Sequence, residues 1–391
     1  MKNGKTLLVL LALCMLLIVL PVTALAYSGS GTQADPYLIQ NKADLKQLAA
    51  DVNSGTHYKG KYFKVTADID LGNEEWTPIG KSGATFQGHF DGGNKTISNL
   101  NITSGNDYVG LFGFTTNGSV KNLTVDNAKV KGRVGVGVVA GVPYTSKYSN
   151  IKVTGLVQVD GLGDVGGVLG YNVYANVTDI TVDVEKGSYV NADSRENGNL
   201  YWSYVGGVIG FMGEGNITVS NVTSNIDVKG NVCGVGGITG MAHYNNKFIN
   251  CSSSGTVIYA PADGVEEEDM VFVGGIAGVW HNQAGTTVTI DDCEFTGSII
   301  APEGCPIYNN GLVGSSYGKP GEGKGSMNLN GETVTDNRNV TYVPAAPVPT
   351  VPTYSAPQTG DNSQLLHWAG MMIVAVIGMV AFGKKRAATE R

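Results

Sequence analysis

The chain has 391 residues and a formal net charge of −7, from 26 Lys and Arg against 33 Asp and Glu. That balance argues against nucleic acid as a partner and fits an exported protein. Only 15% of the residues are charged while 56 are glycine, which excludes a helical bundle or a charged disordered chain and points to repetitive β structure.

Residues 1–26 read as a secretory signal peptide. Lys2 and Lys5 precede the apolar run Leu7–Leu20, Pro21 breaks it, and Ala24-Leu25-Ala26 supplies the small-x-small cleavage pattern. Cleavage between Ala26 and Tyr27 starts the mature chain at Tyr27. Cys14 falls inside the apolar run after Leu13, whereas a lipid-modified cysteine wants a small residue there. The mature region keeps Cys233, Cys251, Cys293 and Cys305, too few for a disulfide framework.

Residues 27–107 read as an N-terminal cap and first coils. Asn41 can cap a helix whose Leu45, Leu48, Ala49 and Val52 fall at i, i+3, i+4 and i+7. Residues 108–343 then repeat a Gly-hydrophobic-x-Gly unit. It appears at Gly110–Gly113, Gly167–Gly170, Gly207–Gly210, Gly237–Gly240, Gly275–Gly278 and Gly311–Gly314, with a degenerate copy at Gly137–Gly141. A polar stretch and a short strand follow each unit, and the period of about 28 to 40 residues marks a repeat architecture.

These units resemble the GLUG repeats of bacterial surface proteins. Gly31–Ile39 looks like the usual start of such arrays, and Asp68–Leu71, Trp76–Gly80 and Phe86–Ile97 look like their first coils. The resemblance implies an all-β fold, a right-handed parallel β-helix with a short N-terminal capping helix. Ile151, Ile180, Val222, Cys251 and Cys293 share one repeat position and are expected to form an inward ladder. Cys251 and Cys293 are then either core thiols or a disulfide between adjacent coils.

Some proteins with these repeats are zinc endopeptidases that cleave immunoglobulin A, which carry His-Glu-x-x-His. His57, His89, His243, His281 and His367 include no i, i+4 pair, which argues against that activity, and no zinc or other cofactor is expected. A glycosidase or polysaccharide lyase needs paired acids across the scissile bond. Asp68 with Asp70, Asp160 with Asp164, and Asp291 with Asp292 are the candidates, though Asp is an ordinary turn residue. Glu266-Glu267-Glu268-Asp269 is a loop insertion between coils, read as a solvated acidic loop with Ca²⁺ binding as the sharper alternative. Asn-x-Ser/Thr triplets such as Asn101–Thr103 and Asn216–Thr218 read as corner asparagines, which tolerate left-handed φ and can stack as hydrogen-bonded ladders.

An aromatic follows the second glycine in most coils: Phe114, Tyr144, Tyr171, Tyr174, Phe211, Tyr244, Trp280 and Tyr317. Stacked coils would align them along one edge. Either they pack over the corners, or Tyr171, Tyr174, Phe211, Tyr244 and Trp280 form a strip for a glycan or host-protein ligand.

Residues 344–355 are a Pro-rich wall spacer. Met327–Leu329 and Val340–Val343 are expected to finish the solenoid before it. Residues 356–391 hold Ala356, Pro357, Gln358, Thr359 and Gly360, then the apolar run Leu365–Phe382, then Lys384, Lys385 and Arg386. The run is 18 residues at about 1.5 Å each, roughly 27 Å, enough for a transmembrane segment at 365–382. The trailing cations would stay in the cytoplasm. This composite resembles the cell-wall sorting signal of Gram-positive surface proteins, with Ala356 in the place of the usual Leu. The resemblance implies a sortase that cuts between Thr359 and Gly360 and joins Thr359 to peptidoglycan. The expectation is thus a secreted, wall-anchored adhesive or ligand-binding protein, held by the membrane before sorting, and not itself an enzyme. The alternatives are a carbohydrate-active enzyme using the solenoid groove, and a structural coat or stalk.

Overall fold

The computed structural model describes residues 27–334 apart from 194, 197–198, 201–202, 214, 232–233, 261–271, 282–284, 302–306, 309–310, 315, 318–325 and 330–331. The chain coils into a parallel β-helix. Successive coils pair in register, so that Ile151 lies beside Ile180, Ile180 beside Val222, and Val222 beside Cys251. Phe248 and Ile249 pair with Ile290 and Asp291, which brings Cys293 beside Cys251. The expected inward ladder is therefore present, and Leu123 extends it one coil earlier. All its members are buried. Cys251 and Cys293 are free thiols.

Three large sheets wind around this core, of 17, five and nine strands among the described residues. The periodicity explains them. Val, Ile and Leu alternate with polar residues along each strand, so one face is dry and the other wet. Coil length varies, and the extra residues leave at one corner. The chain goes straight from Gly161 to the strand Gly163–Gly166, but runs from Ala192 to Tyr204 and from Tyr259 to Phe272 before the equivalent strands.

The wet corner is built from asparagines. Asn94, Asn122, Asn150, Asp179, Asn221, Asn250 and Asp292 all adopt positive φ, between 49° and 56°, a region Asn and Asp tolerate better than branched residues. Their side chains bond from coil to coil. Asn150 donates to Asn122 at 2.8 Å, Asn221 to Asp179 at 2.9 Å and Asn250 to Asn221 at 2.9 Å. Of these positions Asn94, Asn122, Asn221 and Asn250 begin Asn-x-Ser/Thr triplets, and for them the corner reading holds. It fails for Asn101, which lies inside the strand His89–Ile102, and for Asn216, which precedes the strand Thr218–Ser224. Neither adopts positive φ.

A helix covers the N-terminal end. α1 spans Lys42–Asn53, and Asn41 Oδ1 accepts from the backbone N–H of Ala43 and Asp44. Leu45, Leu48, Ala49 and Val52 are buried against the first coils, so the four-residue pattern was a correct guide. Tyr27 packs beside it. Its ring lies 5.5 Å from Tyr37 and 5.6 Å from Phe63, and its hydroxyl donates to Asp51 at 3.1 Å. At the other end, Ser326–Leu329 adds a parallel strand and then pairs antiparallel with Glu332–Val334. Val340–Val343 lies outside the described residues.

Candidate ligand-binding face

The glycine units set the shape of the site. Within one coil, strand Gly163–Gly166 belongs to the five-stranded sheet and strand Leu169–Asn172 to the nine-stranded sheet. The bend between them lays each strand of the nine-stranded sheet against the five-stranded-sheet strand of the preceding coil. A Cβ on Gly170 would lie 2.4 Å from the Val136 nitrogen, and one on Gly210 would lie 2.4 Å from the Asp164 carbonyl carbon. Real side chains do not fit at such distances, so glycine recurs here because two backbones touch.

At the mouth of this fold, two columns of residues stand together. One occupies the position before each Val-Gly: Tyr108, Gly135, Asp164, Tyr204, Gly234 and Phe272. The other holds Phe114, Val142, Tyr171, Phe211, Met241 and Val279. They touch across the mouth. The Tyr108 and Phe114 rings lie 6.2 Å apart, and the Tyr204 and Phe211 rings 5.2 Å apart. Met241, Phe272 and Val279 form a buried apolar cluster separate from the main core, with Tyr204 and Phe211 packed against it. The stripe is thus sealed at its C-terminal half, while Tyr108, Phe114, Tyr171, Tyr204 and Phe211 are half-exposed and Val142 and Asp164 are buried among them.

Asp164 sits in that aromatic stripe. It is 7% exposed, and loss of solvation pushes its carboxyl up to about 7. Burial, with Asp107 and Asp164 nearby, raises the Tyr108 phenol to about 12. Asp160, the other half of that candidate acid pair, is engaged elsewhere, accepting from Tyr189 and Asn191. The structure does not make an acid pair of the two. Asp68 and Asp70 accept bonds from Thr96 and from Gly72 and Asn99. Asp291 and Asp292 are exposed. Among the described residues no group of three or more His, Cys, Asp or Glu could hold a metal ion. Glu266-Glu267-Glu268-Asp269 lies outside them.

The expected aromatic strip resolves into three environments. Tyr171 and Phe211 stand side by side in adjacent coils, 4.9 Å apart and 12° from parallel. Tyr174 belongs to a corner, at φ 61°, where its ring meets Tyr144 edge-on at 5.8 Å, and both are exposed. Tyr244 also turns a corner, at φ 47°, with its ring 4.1 Å from His243. Trp280 departs from the expectation. It is 1% exposed and belongs to the main core. It pairs with Ala242, in an inward column with Met212 and Asn172, and the small Ala leaves room for the indole. Sequence reasoning missed Tyr108, Tyr204 and Phe272. The signal was the residue before each Val-Gly, which varies in type but not in place.

The sorting motif Ala356–Gly360 and the apolar run Leu365–Phe382 lie outside the described residues. Among those described, no helix is long and apolar enough to cross a membrane.

No family model matches the chain. It is similar to Halomucin of Haloquadratum walsbyi, 37% identical over 126 residues, covering 29% of this chain and 1% of that protein. It is equally similar to a candidate Gly-rich membrane protein of Evansella cellulosilytica, 37% identical over 123 residues, covering 30% of this chain and 14% of that one. The chain thus spans only a small part of either relative. A crystal structure of a candidate immunoglobulin A1 protease from Bacteroides ovatus matches with a TM-score of 0.48 at 20% identity, covering 81% of this chain and 84% of that one.

Proposed function

We propose that the chain is an exported surface protein, anchored to peptidoglycan by a sortase, whose solenoid presents a ligand-binding face. The observation that carries the binding role is the half-exposed stripe Tyr108, Phe114, Tyr171, Tyr204 and Phe211, built outside the main core. Aromatic rings in a row offer apolar area with polar tips at low entropic cost, which suits sugar rings or a protein partner. The anchoring role rests on the sorting composite Ala356–Arg391 and the leader 1–26. The membrane-protein description of the Evansella relative supports a surface location.

The test is a glycan and extracellular-matrix array probed with the fragment Tyr27–Tyr342. Binding that Tyr171→Ala weakens supports the reading. No binding to any surface would favour the coat or stalk. Release of reducing ends from a polysaccharide panel would instead favour the alternative of a carbohydrate-active enzyme.

A further inference from the structure

We propose that Cys251 and Cys293 are the site of a covalent cross-link between two coils, a disulfide that forms once the chain is outside the cell. Three observations carry it. The two residues occupy the same position on adjacent coils, since Phe248–Ile249 pair with Ile290–Asp291 and Ser252–Ser253 pair with Glu294–Phe295 on either side of them. Both point into the solenoid, with Cys251 1% and Cys293 8% exposed. Neighbouring strands lie about 4.8 Å apart, inside the Cα separation of roughly 4.4–6.8 Å that a disulfide spans.

The pair is also chemically ordered. Interaction between the two neighbouring thiols holds the Cys293 thiol down and pushes the Cys251 thiol up, and burial adds to the rise of Cys251. Each Sγ donates to the carbonyl two residues before it, Cys251 to Ile249 at 3.5 Å and Cys293 to Asp291 at 3.3 Å. Both thiols are buried, Cys293 the less deeply of the two. Cys293 is therefore the group that reacts first. Its thiolate attacks one sulfur of an external disulfide, which is the oxidant, and expels the other sulfur as a thiolate. The deprotonated Cys251 then attacks the mixed disulfide at Cys293 and expels the second thiolate. The two protons leave to the expelled thiolates. One external disulfide is reduced to two thiols, and Cys251–Cys293 is the oxidised product.

The bridge closes one whole coil, the long one that holds residues 261–271. In a solenoid each coil rests only on its neighbours, so opening starts at the ends. A covalent tie between these coils holds the C-terminal part of the stack, where Ser298–Ile300 and Ser326–Leu329 add the last parallel strands.

The test is disulfide mapping of the full exported chain, alkylated without reduction, before and after incubation with oxidised glutathione. The expected result is a cross-linked peptide pair containing Cys251 and Cys293 that vanishes on reduction. The Cys233→Ser/Cys305→Ser double variant should lose two hydrogens in mass on oxidation and gain several degrees in its unfolding midpoint. If Cys251 and Cys293 are both alkylated after oxidation, or if either is joined to Cys233 or Cys305 instead, the proposal is wrong. The mapping needs no variant, so a folding defect cannot obscure it.

Discussion

Tyr171 and Phe211 stack face to face, 4.9 Å between centroids, although they are separated by a full coil of chain. Parallel in-register pairing places them there, because identical positions on adjacent coils sit one strand spacing apart. An offset stacked pair adds about 0.5–1.5 kcal/mol beyond its burial, so the pair stiffens the stripe without belonging to the main core.

The first prediction separates binding from folding along this row. Tyr171→Ala and Phe211→Ala should each lower stability by only about 1–2 kcal/mol and weaken whatever ligand the array finds. Trp280→Ala should lower stability by about 3–5 kcal/mol, the usual cost of emptying a core aromatic site. Urea unfolding followed by circular dichroism measures both. A Trp280 variant as stable as the parent would remove the assignment of that ring to the core.

The second prediction concerns the asparagine corner. Asn221 accepts from Asn250, donates to Asp179 and holds φ at 55°. Asn221→Gly keeps the backbone and loses the two bonds, at a net cost of about 1 kcal/mol for each. Asn221→Ala loses the same bonds and adds about 1–2 kcal/mol of left-handed strain. Alanine should therefore be the worse substitution by denaturant midpoint. Equal midpoints would show that the corner relaxes away from positive φ.

The third prediction is a pH dependence centred on Asp164. Its carboxyl is raised from 3.8 to about 7 in the folded chain by loss of solvation. The folded state therefore holds a proton that the unfolded state has released between those values. Stability should fall as pH rises through this window and stay flat above about 7. The contribution is bounded at about 4 kcal/mol, at 1.36 kcal/mol per unit. Exposed Glu74, held down to about 2 by Lys42 and Lys46, acts at lower pH and in the opposite sense. Asp164→Asn should be more stable than the parent at pH 8 and no better at pH 4. A parental stability that rises between pH 5 and 7, unchanged by the substitution, would contradict this.

Much of the fold is legible because its repeats are regular. Gly167–Gly170 and its copies mark the bends, and Ile151, Ile180 and Val222 mark the dry face, since stacking forces one residue type into one place. The cap was legible because Asn41 and the four apolar positions after it follow helical period. The stripe was only half legible. Tyr171 and Phe211 stand out as aromatics after a glycine, but Tyr108, Asp164, Tyr204 and Phe272 differ in chemistry, and only pairing shows that they share a column. Trp280 misled for a related reason. It comes one residue after the Tyr171 position, and a one-residue step along a strand moves a side chain to the opposite face.

The last prediction concerns the C-terminal signal. A sortase thiolate would attack the Thr359 carbonyl, expel Gly360 with the apolar tail and leave a thioester that a wall amine resolves. A residue before proline is biased to extended conformations, as a peptide entering a cleft must be, and Ala356 precedes Pro357. The apolar run Leu365–Phe382 would hold the substrate at the membrane until it is cut. Thr359→Ala should therefore leave the protein in the membrane fraction after muramidase treatment. The parent should appear in muramidase digests as a ladder of species that end at Thr359. Mature protein from the native host with its tail intact through Arg391 would mean a membrane anchor and no sortase step.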